Sequence, residues 1–494
     1  MREITLDYQE FSGEIDQFSS LCVGSGHAGL ALRKSYLEQL KLVHQECGFK
    51  YVRFHGILSD SMGVYSEDQS GTPIYNWQYI DMVYDQILEI GMKPFVELSF
   101  MPAALASGEE IVFWWKGNIT PPKDYQKWYD LIKGFTEHLT DRYGREELKS
   151  WYFEVWNEPN LKSFFSGEME DYFRLYEKAV LAIKSVDQQY RVGGPATAGN
   201  SWITEMINFC NENKLPLDFI STHTYGVEGH FAQWGEQELY LIKDQDIIIN
   251  DVKKVKEQVL SSSRPELELH YTEWNSSYSS RDPVHDQYIQ APYILHTLKG
   301  LRGQVDSMSY WTFSDIFEEA GPASSPFHGG FGLLNLQSLK KPAFYAYKYL
   351  NQLKGGPELK ITDQKAWFSR NEDGIRGIFW ELDLSEQSGS NQEYFQKVIT
   401  AQVQEEVSIK VKNLPAGNYQ ITTYSIGYQQ NDIYSYYLNN YAQRPFNKTI
   451  EEELKLNNRD QPLAVESILV KKGQIISLVY TLNKNQVIYI KIEQ

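Results

Sequence analysis

Trp151-Tyr152-Phe153-Glu154-Val155-Trp156-Asn157-Glu158-Pro159 is the stretch that decides how the rest of this chain is read. Its aromatic and β-branched residues suit a strand, and Asn157-Glu158-Pro159 brings that strand to an end. A glutamate flanked by an amide and a proline at a strand terminus is an unusual place for a carboxylate. Comparable apolar runs recur on both sides: Leu21–Gly24, Tyr51–His55, Lys93–Phe100, Arg191–Pro195, Phe219–His223, Glu268–Glu273 and Ser307–Trp311. Between them lie segments with helical spacing, at Leu30–Glu46, Ile80–Ile90, Asp124–Tyr143, Asp171–Val186, Trp202–Asn213, Ile248–Leu260 and Tyr288–Leu301, and Ala343–Leu353 follows the last run. Eight strand–helix units in succession predict an α/β fold, a parallel (β/α)8 TIM barrel.

In such a barrel the chemistry gathers at the C-terminal ends of the strands. That rule brings together Arg53 and His55 at the end of the second strand, Glu97 and Ser99 at the end of the third, and Asn157 and Glu158 at the end of the fourth. It adds His223 and Tyr225 at the end of the sixth and Glu273 at the end of the seventh, and Trp311, then Ser314-Asp315-Ile316-Phe317-Glu318-Glu319, follow the eighth. Thr272-Glu273-Trp274-Asn275 is the counterpart of the opening motif, a second glutamate among aromatic and amide residues. Two carboxylates on separate strand ends are what glycoside hydrolysis requires, one to protonate the leaving oxygen and one to meet the sugar carbon. The competing readings are a helix cap for Glu158 and a salt bridge with Arg53 for Glu273. The second can coexist with catalysis, because Arg53 would hold Glu273 ionised while Glu158 keeps its proton.

Composition narrows the field. The chain has 494 residues and a formal net charge of −18, which predicts neither nucleic acid nor an anionic membrane surface as partner. Three scattered cysteines form no disulfide framework, and ten histidines show no zinc spacing, so no metal and no cofactor is expected. Gly24-Ser25-Gly26-His27-Ala28-Gly29 is read as the loop after the first strand rather than a nucleotide cradle. The charged start Met1-Arg2-Glu3 lacks an apolar run, which reads as a cytoplasmic protein without a signal peptide. At Leu353-Lys354-Gly355-Gly356-Pro357 the helical spacing gives way to alternation, as at Val407, Ile409 and Val411. Residues 16–353 are therefore expected to form the barrel, and residues 354–494 an antiparallel β-sandwich joined by residues 1–15.

These motifs resemble glycoside hydrolase family 39, best known for β-xylosidases. The resemblance runs from Val23-Gly24-Ser25-Gly26-His27 into the C-terminal sandwich. Its most specific parts are Arg53-Phe54-His55-Gly56, Phe153 through Leu161, Thr272–Asn275 and Tyr310 through Glu319. It implies that Glu158 is the general acid/base and Glu273 the nucleophile of a retaining mechanism with a covalent glycosyl-enzyme intermediate. It further implies a first sugar subsite lined by His55, Asn157, His223, Tyr225 and Tyr278, with Phe164, Phe165 and Trp311 as aromatic walls. Either Glu318 or Glu319 would meet the far hydroxyls. The expected activity is an exo-β-xylosidase releasing xylose from the non-reducing end of β-1,4-xylo-oligosaccharides, the loop Phe113-Trp114-Trp115 helping to close the cleft. The alternatives are the same chemistry on an α-L-arabinopyranoside, β-galactoside, β-glucoside or iduronide, the last needing a basic clamp such as Lys116 or Arg281. More remote is a non-catalytic carbohydrate-binding barrel. The resemblance also allows a homo-oligomer, a tetramer, with Ile433–Leu438 at an interface, at a pocket edge or in a hydrophobic satellite.

Overall fold

The computed structural model describes residues 1–230 and 238–494. Eight strands close a parallel barrel: β1 (Cys22–His27), β2 (Tyr51–His55), β3 (Lys93–Leu98), β4 (Tyr152–Val155), β5 (Arg191–Thr197), β6 (Phe219–Tyr225), β7 (Glu268–Asn275) and β8 (Ser307–Tyr310), with β8 returning to β1. The expected barrel is present. Its outer ring is α1 (Lys34–Cys47), α2 (Gln78–Ile90), α3 (Tyr125–Tyr143), α4 (Met169–Val186), α5 (Ile203–Glu212), α6 (Ile247–Leu260), α7 (Gln290–Gly300) and α8 (Pro342–Gln352). Local chemistry sets their ends. Asp124 caps α3 by accepting from the amides of Gln126 and Lys127, and Glu168 with Asp171 forms a reciprocal cap at the start of α4. Gly48 and Gly91 stop α1 and α2 in the left-handed conformation that costs other residues a steric penalty.

Strand alternation builds the barrel interior in layers. Phe95, Tyr152, Phe219 and Cys22 fill the lower part as an apolar plug. Two residues further along the same faces, the side chains become charged: Glu154 follows Tyr152 and Glu97 follows Phe95, the two glutamates lying opposite each other in register. The plug keeps water out from below, so groups above it exchange with solvent only through the mouth.

One expectation fails in β1. Gly24–His27 is part of the strand, not the loop after it. The glycines serve packing there. A Cβ on Gly24 would collide with the Trp311 ring, and one on Gly26 would stand 2.7 Å from the Phe317 carbonyl oxygen. The thin strand lets the loop after β8 settle over the barrel mouth.

Beyond α8, a seven-stranded antiparallel sheet (Phe11–Glu14, Pro357–Leu359, Ala366–Asn371, Gly374–Trp380, Val487–Glu493, Gly417–Ile426, Ala464–Val470) faces a three-stranded one (Arg2–Asp7, Val403–Lys412, Ile476–Asn483). Ile4, Leu6, Ile409, Phe368, Ile488 and Ile490 share the core between them. Arg2–Asp7 runs parallel to Val403–Lys412, the exception in an otherwise antiparallel arrangement. The opposite face of the larger sheet packs on the barrel, where Tyr489 stacks on Tyr349 of α8 at 4.5 Å and 12°. The first part of Val487–Glu493 is thus covered on both sides, which explains the apolar run Val487–Ile490 before Lys491. The Tyr-rich segment is helical: Ile433–Asn440 and Lys448–Asn457 form a hairpin whose Tyr434 and Tyr437 rings lie 5.4 and 5.1 Å from Phe327 in the β8 loop. It is a hydrophobic satellite bracing that loop. Among the described residues, no helix is long and apolar enough to cross a membrane.

Candidate active site

Arg53 on β2 organises the barrel mouth. Fully buried, it donates from Nε to Glu154 at 2.5 Å, from Nη1 to Glu273 at 2.8 Å and from Nη2 to Asn157 at 2.9 Å, with Glu97 also 2.9 Å from Nη2. A guanidinium suits this task because its donors are fixed in a plane and can address carboxyl groups on different strands at once. Removing it would leave several acidic groups buried without a cation. The Arg53 charge also sits 5.7 Å from the Trp311 ring centre.

Glu273 and Glu158 stand across this cluster from each other. One oxygen from each, together with a ring nitrogen of His223, lie within 4.8 Å of one another. Their surroundings differ. Glu273 accepts from Arg53 on one oxygen and from the Tyr225 hydroxyl, at 2.7 Å, on the other. Glu158 has His223 Nδ1 at 2.9 Å, and burial pushes its carboxyl up to about 7. Glu158 also has a φ of 45°, and Trp156 one of 72°, so the backbone after β4 turns sharply and swings the carboxyl back over the barrel. The Glu158 amide donates to the Ala196 carbonyl of β5 at 2.8 Å, which fixes that turn.

The histidines take opposite charge states. Burial alone would lower His55, but Glu97, Glu319 and Glu273 around it outweigh that and raise it to about 10. Its Nδ1 lies 2.7 Å from Glu97, and its Nε2 is 3.4 Å from Glu319. Burial likewise opposes Glu97, yet His55 and Arg53 hold its carboxyl below the usual range. For His223 burial wins: Glu273 and Glu154 pull upward, but burial, helped by the Arg53 and His55 charges, lowers it to about 4, leaving it neutral.

The mouth is walled by aromatics. The His55 ring is 4.8 Å from Trp311 and stacks at 5.9 Å on Phe113. Phe164 meets Phe113 at 5.4 Å, and Tyr278 approaches Tyr225 edge-on at 6.1 Å. Trp115 stacks on His27, while Trp114 is exposed and its amide donates to the Glu319 carbonyl at 2.8 Å. That bond ties the loop after β3 to the loop after β8 above the carboxyl pair.

One expectation needs correction. Phe165 is no wall: it is fully buried behind Trp156, with Tyr172 beyond, and offers no ring face to the mouth. Arg281 donates from Nη2 to the carbonyls of Ala320, Gly321 and Pro322 in the β8 loop, and Lys116 is exposed. Between the two candidate glutamates the structure draws a distinction. Glu318 has a φ of 62° and turns to Arg33, which grips it through two bonds at 2.6 and 2.9 Å, whereas Glu319 turns inward to His55. Burial pushes the Glu319 carboxyl up to about 7. Three contributors escaped sequence reasoning. Glu154 and Thr272 lie within quoted motifs, but nothing marked their hydrogen bond, at 2.7 Å; a charge at the centre of an apolar strand was the available signal. Arg33 gave none.

A family model described as glycosyl hydrolases family 39 matches residues 2–367. A β-xylosidase of Caldicellulosiruptor saccharolyticus is 48% identical over 356 residues, covering 72% of each chain. A β-xylosidase of Geobacillus stearothermophilus is 46% identical over 382 residues, 75% of each. A crystal structure of a monomeric β-xylosidase from Caulobacter crescentus CB15 superposes with a TM-score of 0.95 at 39% identity, covering 100% of this chain and 99% of that one.

Proposed function

The chain belongs to glycosyl hydrolases family 39, and from that premise we propose that it is a retaining β-xylosidase in which Glu273 is the nucleophile and Glu158 the general acid/base. The observation that carries the assignment of roles is the closeness of two carboxyls in unlike surroundings, their nearest oxygens within 4.8 Å. Retaining enzymes hold the pair about 5–5.5 Å apart, whereas inverting ones need roughly 6.5–9.5 Å to admit a water.

The chemistry follows from the contacts. In the first step a Glu273 oxygen attacks the anomeric carbon while the bond from that carbon to the leaving oxygen breaks. Glu158, held protonated by burial up to about pH 7, gives its proton to the departing oxygen. Arg53 and Tyr225 orient the attacking carboxylate and take up the redistribution of its charge. In the second step a water attacks the same carbon, passes a proton to Glu158 and expels Glu273 as carboxylate. Two inversions restore the starting anomer.

Substrate choice rests on the relatives, all three of them named β-xylosidases, and on the shape of the mouth. The bond from Trp114 to the Glu319 carbonyl joins two loops over the carboxyls, which favours a pocket taking one terminal sugar. Glu319 is the acidic contact for the hydroxyls far from the bond. In solution the enzyme takes small xylosides, and its assembly state is read by sedimentation.

The test is a panel of nitrophenyl pentosides and hexosides, with the first-formed anomer followed by NMR. Preferential β-xyloside cleavage releasing β-xylose is the expected result. The α-anomer as first product would remove Glu273 from its role, and preference for another glycoside would leave the pair but move the substrate.

A further inference from the structure

A chain of three hydrogen bonds runs behind Glu158 and determines where protons must sit. Its members, Glu154 on β4, Thr272 on β7 and His223 on β6, are all fully buried. Glu154 places Oε2 against Arg53 Nε at 2.5 Å and offers Oε1 to the Thr272 hydroxyl at 2.7 Å. A hydroxyl has one hydrogen, and Thr272 commits it to Glu154. His223 Nε2, at 3.1 Å from the same oxygen, must therefore donate to it. A neutral imidazole with its hydrogen on Nε2 has a bare acceptor at Nδ1. That atom faces Glu158 Oε1 at 2.9 Å, so the hydrogen in this last bond belongs to Glu158.

We propose that Thr272 and Glu154 are positioning residues that lock His223 in its Nε2–H form, so that Nδ1 holds the proton on Glu158 until a leaving oxygen takes it. This rests on the reading of Glu158 as the general acid. With the opposite tautomer, Nδ1–H would donate to Glu158 and stabilise its ionised form, which is the wrong state for the first step. The lock also suits the second step, when Glu158 recovers a proton from water beside the same acceptor. The other charged or titratable groups facing this pair are Glu273, whose Oε2 is 3.6 Å from His223 Nδ1, and Arg53 and His55 from β2. Glu97, Glu319 and Tyr225 face Glu158 from the remaining sides. None of these offers Glu158 the neutral acceptor that His223 does, and Tyr225 is committed to Glu273.

The decisive variants are Thr272→Val and Thr272→Ser. Valine matches threonine in shape but cannot accept from Nε2, so His223 is released to the Nδ1–H form. The alkaline limb of kcat/KM should then move to lower pH by roughly one unit, and the loss at neutral pH should be about tenfold greater for alkyl than for nitrophenyl β-xylosides. Serine restores the hydroxyl and should restore the limb, which a packing defect would not explain. An unmoved limb in folded Thr272→Val overturns the proposal. Should that variant not fold, long-range proton–nitrogen NMR of 15N-histidine wild-type protein decides, with His223 assigned through His223→Gln. Hydrogen on Nε2 is expected, and hydrogen on Nδ1 overturns the lock. Failure of the underlying reading looks different: Glu158→Ala would then lose no more rate on alkyl than on nitrophenyl xylosides.

Discussion

Glu318 and Glu319 are consecutive in sequence yet deliver their carboxyl groups to opposite sides of one wall. The left-handed backbone at Glu318 sends its side chain to Arg33 at the rim, and the next residue turns to His55 beside Trp311. One therefore latches the loop after β8 while the other reaches His55 at the barrel mouth.

Substitution should separate those tasks. Glu319→Gln should cut kcat/KM on β-xylosides by roughly 10–100-fold, the scale of a lost charged hydrogen bond to a hydroxyl, largely through KM. Glu318→Gln should cost little in kcat/KM, because Arg33 is half exposed and such pairs contribute at most about 1 kcal/mol. Steady-state kinetics on both variants checks this, and equal losses would contradict the division.

The proposed acid role of Glu158 has a leaving-group signature. Glu158→Ala should slow natural xylo-oligosaccharides by roughly 10²–10⁴-fold, and dinitrophenyl xyloside far less in the glycosylation step, since a good leaving group scarcely needs the proton. In the wild type, kcat/KM should fall as pH rises past about 7, where burial has placed the Glu158 carboxyl. A pH–rate profile with its alkaline limb near 4.5 would be incompatible with that environment.

Glu273→Ala should abolish turnover, with a loss on the order of 10⁴–10⁶-fold, because the covalent step has no substitute. Mass spectrometry of wild-type protein trapped with a slow fluoroxyloside should place the label on Glu273. A label elsewhere would refute the assignment.

Stability should respond to His55 with a defined sign. Its folded-state value of about 10 lies above the ordinary 6.5, so the contribution is fully present below about 6.5 and is lost as pH rises toward 10. His55→Gln should lower the Tm at pH 6 and narrow its gap to wild type by pH 10, as read by calorimetry. A gap that widens with pH would mean His55 is not charged in the fold.

Arg53 is the keystone of the same cluster. Arg53→Ala should destabilise the protein by about 3–5 kcal/mol through uncompensated buried carboxyls, and Arg53→Lys should recover only part, since an ammonium cannot span the strands that the guanidinium fork reaches. Denaturant unfolding followed by fluorescence measures both.

Much of this was legible in the sequence because barrel strands carry their function at one end. His55, Glu158, His223 and Glu273 each stand at the end of an apolar run and Arg53 two residues before such an end, so periodicity and topology together brought them to one mouth. What escaped depends on backbone geometry that side-chain identity does not encode. The divergence of Glu318 from Glu319 is set by the positive φ at Glu318, and the burial of Phe165 behind Trp156 by loop packing. The extension of β1 through two glycines was hidden for another reason: their small size answers to Trp311 and Phe317, nearly 300 residues away in sequence.

The pairing of Arg2 with Val407 gives this protein a timetable. The strand Arg2–Asp7 meets its partner only some 400 residues later in synthesis, roughly 20–80 s at ordinary elongation rates. All eight barrel strands emerge in that interval, while the helical hairpin that braces the β8 loop arrives near the end. The nascent chain therefore carries a complete set of chemical groups well before it carries the support that holds their roof in place. Activity measured on ribosome-stalled chains should rise late, with emergence of the hairpin Ile433–Asn440 and Lys448–Asn457 rather than with completion of the barrel.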